Sequence, residues 1–197
     1  MTDPTPFDSS SNRETDSWFL SYMEAYRKSL LETNVSAELA SFRDLIIETK
    51  GNGGKLIFAG NGASAAISSH AAVDFTKQCG IRSICFNEAD LITCFGNDYG
   101  YSSWIKEALK AYADPRDCVV LISSSGASAN VVEAGRHCQH EEISLATFTG
   151  FSSANPLRQL GRVNLWLDSS SYNIVECTHM IWIMAVCDNL AVENNSG

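Results

Sequence analysis

Apolar residues along this chain form two alternating kinds of run. Short, near-continuous stretches at 56–59, 83–86, 118–122, 144–148 and 163–167 read as buried strands. Between them lie segments with helical spacing, at about 64–78, 101–112, 128–140 and 172–192, with a short helix near 153–160 and a mixed stretch at 90–98. In 101–112 the inward residues are Trp104, Ala108 and Leu109. Strand–helix alternation with continuously apolar strands predicts an α/β fold: a five-stranded parallel sheet covered on both faces. Ligands in such folds sit beyond the carboxyl ends of the strands.

Two helices precede the first strand. One spans 18–33, with Trp18, Tyr22, Ala25 and Leu30 on one side. The other spans 36–50, with Ser36 as its cap and Leu39, Phe42, Leu45 and Ile46 as its apolar stripe. A single α/β unit does not need this hairpin, which suits a contact with a partner subunit. Residues 1–16 are polar and rich in Ser, Thr, Asp and Pro, with neither a basic start nor an apolar core. They read as a disordered tail rather than a secretory signal.

Two Ser/Gly loops carry the candidate chemistry. Gly60-Asn61-Gly62-Ala63-Ser64 follows the first strand and Ser123-Ser124-Ser125-Gly126-Ala127-Ser128 follows the third. Each leads into a helix, so free N–H groups and hydroxyls can surround a phosphate there. Neither loop has the lysine of a nucleotide-hydrolysing P-loop. The first offers two glycines of a dinucleotide fingerprint, with Ala65 at the third place, which leaves the second loop unexplained. A hydroxyl-rich pair without a cation suits a sugar monophosphate better than a triphosphate.

Composition narrows the partners. The 197-residue chain is 45% hydrophobic with a formal net charge of −9 and no basic run, which argues against nucleic-acid binding. No apolar run approaches the roughly 18 residues of a membrane span. Seven cysteines, an odd number without a CxxC pair, read as buried thiols of a reducing cytoplasm, Cys85, Cys94 and Cys118 lying within apolar runs.

The order of motifs resembles a known family. Gly60-Asn61-Gly62-Ala63-Ser64 with His70 beyond it, Gly96-Asn97-Asp98, the 123–128 loop, Thr147-Phe148-Thr149-Gly150 and Glu176-x-x-His179 follow one another as in the SIS (sugar isomerase) domain, and most nearly as in its phosphoheptose isomerase subgroup. The resemblance covers about 18–192, and makes 17–197 one SIS domain with an N-terminal helical arm. It implies a flavodoxin-like three-layer sandwich, a homotetramer with sites at subunit interfaces, and ketose–aldose isomerisation of sedoheptulose 7-phosphate. It also implies that Asn61, Ser64, Ser123, Ser124, Ser125 and Ser128 bind the phosphosugar, that Asp98 contacts the sugar, and that His70, Asp74 and Glu176 serve catalysis.

Two positions depart from the family. Its catalytic Glu corresponds to Asp74, shorter by one methylene and so by roughly 1.5 Å of reach for proton transfer. Its last-helix His corresponds to Met184, which transfers no proton. His179 lies five residues earlier, about 140° away around the helix, and does not point to the same place. No cofactor is required. Zinc, which some members bind, would here have His70, Asp74 and Glu176 as ligands. The departures keep a second expectation in view: a non-catalytic sugar-phosphate-binding protein, or one that associates with a replication initiator as one relative of the subgroup does.

Overall fold

The computed structural model describes residues 15–195. The chain runs α1 (Thr15–Arg27), a π-helical turn (Lys28–Glu32), α2 (Ser36–Gly51), β1 (Leu56–Gly60), α3 (Ala63–Cys79), β2 (Ser83–Cys85) and α4 (Ala89–Tyr99). It continues α5 (Trp104–Tyr112), β3 (Cys118–Ser123), α6 (Ala129–His140), β4 (Ser144–Thr149), a 3-10 turn (Leu157–Gln159), β5 (Val163–Trp166) and α7 (Tyr172–Asn195). The tail expected over 1–16 lies outside the described residues except for its last two positions, which begin α1.

All five strands are parallel, in the order β2-β1-β3-β4-β5. Alternate residues of each strand feed opposite faces, and both faces are apolar. Leu56, Phe58, Val120, Ile122 and Phe148 join one core with α2, α3 and α7. Ile57, Ala59, Val119, Leu121 and Leu145 join a second core with α5 and α6. Burial on both sides is why these strands read as unbroken apolar runs. The result is a three-layer sandwich with flavodoxin-like strand order.

β1 and β3 are the hinge of this topology. They pair over five registers, from Leu56 against Cys118 to Gly60 against Ile122. From β1 the chain goes outward to β2, and from β3 it goes the other way to β4. At their amino ends, the buried Asp117 carboxylate accepts from the Lys55 backbone N–H (2.9 Å), the Asp114 N–H (2.8 Å) and the Lys55 ammonium (2.5 Å). A buried carboxylate is tolerable when its oxygens are satisfied in this way.

Several details differ from the sequence expectations. The mixed stretch near 90–98 is a full helix, α4. The helix expected near 153–160 is one 3-10 turn. Ser36 does not cap α2; the Asn34 side-chain oxygen accepts its N–H instead, at 3.2 Å. Cys94 is exposed on α4 and Cys85 is half-buried on the edge strand β2, so only Cys79, Cys118, Cys138 and Cys187 are buried thiols. No apolar run was expected to reach membrane length, yet Tyr172–Val192 does so with mean hydropathy 1.3. Its 56% burial inside the sandwich accounts for that composition as core packing.

His179 is fully buried on α7, between Phe148 and Trp182. Its Nε2 donates to the Thr149 carbonyl at 3.1 Å. Burial pushes its pKa down from 6.5 to about 4, so the ring is neutral at pH 7. Unfolding lets it take up a proton at any pH below 6.5. The stability of the native state is therefore intact above that pH and falls as pH drops toward 4, by about 1.4 kcal/mol per unit. Urea unfolding at pH 7 and pH 5 is expected to differ by about 2 kcal/mol more in the wild type than in His179→Gln.

Candidate active site

The chain turns sharply at both crossover loops because glycine permits it. A Cβ on Gly60 would lie 2.7 Å from both the Ile122 carbonyl oxygen and the Ser64 Cβ. Gly60 thus lets α3 start directly against β3. In the second loop Gly126 has φ +61°, and a Cβ there would strike the Asn155 side chain. That Asn155 is buried and ties together the segment that follows β4. Its Nδ2 donates to Thr149 Oγ1, the Gly150 carbonyl and the Ser152 carbonyl, and its Oδ1 accepts from the Arg158 N–H. Two backbone bonds complete the support: Gly150 N–H to the Ser124 carbonyl at 2.9 Å, and Leu157 N–H to the Gly126 carbonyl at 3.0 Å.

Between the loops lies a polar cavity of about 130 Å³. Asn61 and Ser64 line it from the first loop and α3, and Ser123, Ser124, Ser125 and Ser128 from the second loop. Tyr172 and Glu176 line it from the first turns of α7. Three helix N-termini, those of α3, α6 and α7, therefore border one small space. The partial positive charge of helix N-termini favours an anion. Neither Gly62 before α3 nor Ser128 before α6 supplies a side-chain cap; the Ser64, Ala65 and Ala66 N–H groups bond the Asn61 and Gly62 carbonyls, and the Val131 and Val132 N–H groups bond the Ser128 carbonyl.

The hydroxyls are already oriented. Ser123 Oγ accepts from the Gly126 N–H (3.2 Å) and Ser125 Oγ from the Ala127 N–H (3.3 Å). An accepting hydroxyl has its own proton available to donate into the cavity. Ser124 Oγ donates to Glu176 Oε1 at 3.1 Å. Glu176 is the carboxylate at this wall, within reach of anything bound beside Ser124.

Other expected site residues stand elsewhere. His70 and Asp74 pair with each other on α3, Nε2 to Oδ2 at 3.2 Å, and His70 is exposed. Neither lines the cavity. Asp98 is exposed on α4, where its Oδ1 accepts from the Asn97 side chain at 2.9 Å. The zinc ligand set is corrected: His70 and Asp74 bond each other, Glu176 bonds Ser124, and no group of three His, Cys, Asp or Glu able to hold a metal occurs among the described residues. The residues present do not fit that metal within one chain. Met184 packs against the core beside α7's other apolar residues.

Sequence reasoning missed Tyr172, Asn130 and Asn155. Tyr172 lies four residues before Glu176, one helical turn along the same face, which is the signal that could have found it. Asn130 sits two residues past Ser128 in the first turn of α6, and Asn155 in an Asn-Pro turn.

Comparison with known proteins agrees with this arrangement. The family model described as SIS domain matches residues 18–150, a span that includes both loops. This chain belongs to the SIS domain family. A phosphoheptose isomerase from Roseiflexus sp. (strain RS-1) is 29% identical over 182 residues, covering 87% of this chain and 90% of the relative. The solved phosphoheptose isomerase from Neisseria gonorrhoeae superposes with a TM-score of 0.79 at 25% identity, covering 89% of this chain and 95% of that one. That from Francisella tularensis superposes with a TM-score of 0.84 at 23% identity, covering 90% and 98%. For this SIS domain, Gly126→Ala is expected to cost about 1–3 kcal/mol from positive φ and the collision with Asn155. Chemical denaturation measures that cost, and Gly62→Ala, which meets nothing within 4 Å, separates the φ contribution from the collision.

Proposed function

We propose that this SIS domain binds a sugar phosphate between its two Ser/Gly loops and interconverts its ketose and aldose forms, with sedoheptulose 7-phosphate as substrate. The observation that carries the reading is the convergence of three helix N-termini and five serine hydroxyls on one cavity that also holds a carboxylate. A phosphate group suits the 123–128 loop, which offers amide N–H groups and hydroxyls without a cation. Moving a proton between adjacent carbons through an enediol needs a base beside the carbon acid. The Glu176 carboxylate, bonded to Ser124 at the cavity wall, supports that role for it. Its neighbour Tyr172 offers a phenol at the same wall.

His70, Asp74 and Asp98 take part, on this reading, through assembly. The His70–Asp74 pair faces outward, where a neighbouring subunit of a homotetramer would meet it. Exposed Phe19, Leu20, Met23 and Leu31 on the N-terminal arm support such contacts. Seven free thiols fit a reducing cytoplasm.

One observation favours a second reading, binding without turnover. Met184 carries no transferable proton, and within one chain no His reaches the cavity lining. Purified protein incubated with sedoheptulose 7-phosphate separates the two readings. Aldose formation is expected, with Glu176→Gln lowering kcat by about 10²–10⁴-fold and the double variant Ser124→Ala/Ser125→Ala raising KM. Absence of turnover with a retained thermal shift on adding the sugar phosphate leaves only the binding reading. Absence of both removes the phosphosugar ligand altogether. A monomer by light scattering would contradict the tetramer.

A further inference from the structure

The two loops leave neighbouring strands but diverge at once. α3 packs into the core on one face of the sheet and α6 into the core on the other. The cavity is the crevice this divergence opens. Strand pairing sets the loop spacing only at the sheet edge, Gly60 against Ile122. Beyond it, a side-chain link joins the first loop to α6.

That link is a reciprocal amide pair. Asn61 Nδ2 donates to Asn130 Oδ1 at 2.9 Å, and Asn130 Nδ2 donates back to Asn61 Oδ1 at 2.8 Å. Asn130 is only 2% exposed, so its amide depends on this partner rather than on water. A third residue engages the same oxygen: Tyr101 Oη donates to Asn61 Oδ1 at 3.1 Å. Tyr101 lies in the turn between α4 and α5, three residues past Asp98, and is itself exposed. Asn61 therefore spends its carbonyl oxygen on two donors and one of its N–H groups on Asn130. Its side chain serves the scaffold more than the ligand.

We propose that Asn130 and Tyr101 are positioning residues: they latch Asn61 across the crevice and so fix the spacing of the two phosphate-binding loops. The latch also ties the α4–α5 segment, with Asp98, to the phosphate end of the site. Its effect on ligand affinity rests on the phosphosugar reading above; its existence as a coupled unit does not.

Two measurements on the full chain test it. The first is a double-mutant cycle of Asn61→Ala and Asn130→Ala on urea unfolding. The expected result is strong non-additivity, a coupling of roughly fivefold or more in the folding equilibrium constant. Additive effects would overturn the latch. The second is calorimetric titration with inorganic phosphate and with sedoheptulose 7-phosphate. Asn130→Ala is expected to weaken binding roughly tenfold and Tyr101→Phe roughly threefold. Because Tyr101 is exposed, Tyr101→Phe should leave the denaturation midpoint unchanged, which separates positioning from general destabilisation. If the chain turns the substrate over, the loss should appear in KM with kcat nearly constant. Ligand affinity unchanged in both variants would overturn the positioning role. If the wild type binds neither ligand, the phosphosugar reading fails, the positioning role fails with it, and the unfolding cycle alone decides whether the latch exists.

Discussion

Everything about this site depends on β1 and β3 lying side by side. They are separated in the chain by α3, β2, α4 and α5, yet pair over five registers. At one end the Asp117 carboxylate ties the two strand starts together through Lys55 and Asp114. At the other, Gly60 lets the backbone pass within contact of Ile122 and Ser64, where any side chain would force the strands apart. From that edge the helices leave in opposite directions, and a crevice results wherever a doubly wound sheet reverses its winding.

What fills the crevice is decided by polar satisfaction. The hydroxyls of Ser123 and Ser125 take loop amides, the Asn155 side chain lies close against Gly126, and Ser124 turns to Glu176. Anion attraction there comes from helix N-termini rather than from lysine or arginine. Dipoles held by the backbone cost no side-chain entropy and put no counter-charge beside Glu176. On the proposed reading, a phosphate and the Glu176 carboxylate share the cavity walls.

The α3 helix shows how one element divides its duties. Ser64, in its first turn, faces the cavity, and Ile67, Ala71 and Phe75 face the core. His70 and Asp74 fall on the remaining, outward side and find each other. His70 and Asp74 lie about 120° and about 80° around the helix from Ser64, and roughly 9 and 15 Å along it, so the pair stands away from the small cavity. Val73, three residues on from His70 along α3, is exposed as well.

Much of this was legible in the residues themselves. The three central strands announced themselves because both faces are buried, and the loops because glycine and serine follow apolar runs. Helix α4 was less clear, since none of its residues is fully buried. Cys94 looked internal within its run but is exposed, because a run on a half-solvated helix does not reveal which side faces the core. Along the chain, Ser124 and Ser128 were candidates through the Ser/Gly loop itself, and Ser64 and Glu176 through the family resemblance. That Tyr172 and Glu176 close the cavity, that Asn61 bonds Asn130 across 69 positions, and that His70 and Asp74 stay outside were tertiary decisions. Local sequence specifies backbone turns and periodic faces, which depend on neighbours a few residues away. Which faces meet is set by how three layers pack, and that is a property of the whole core.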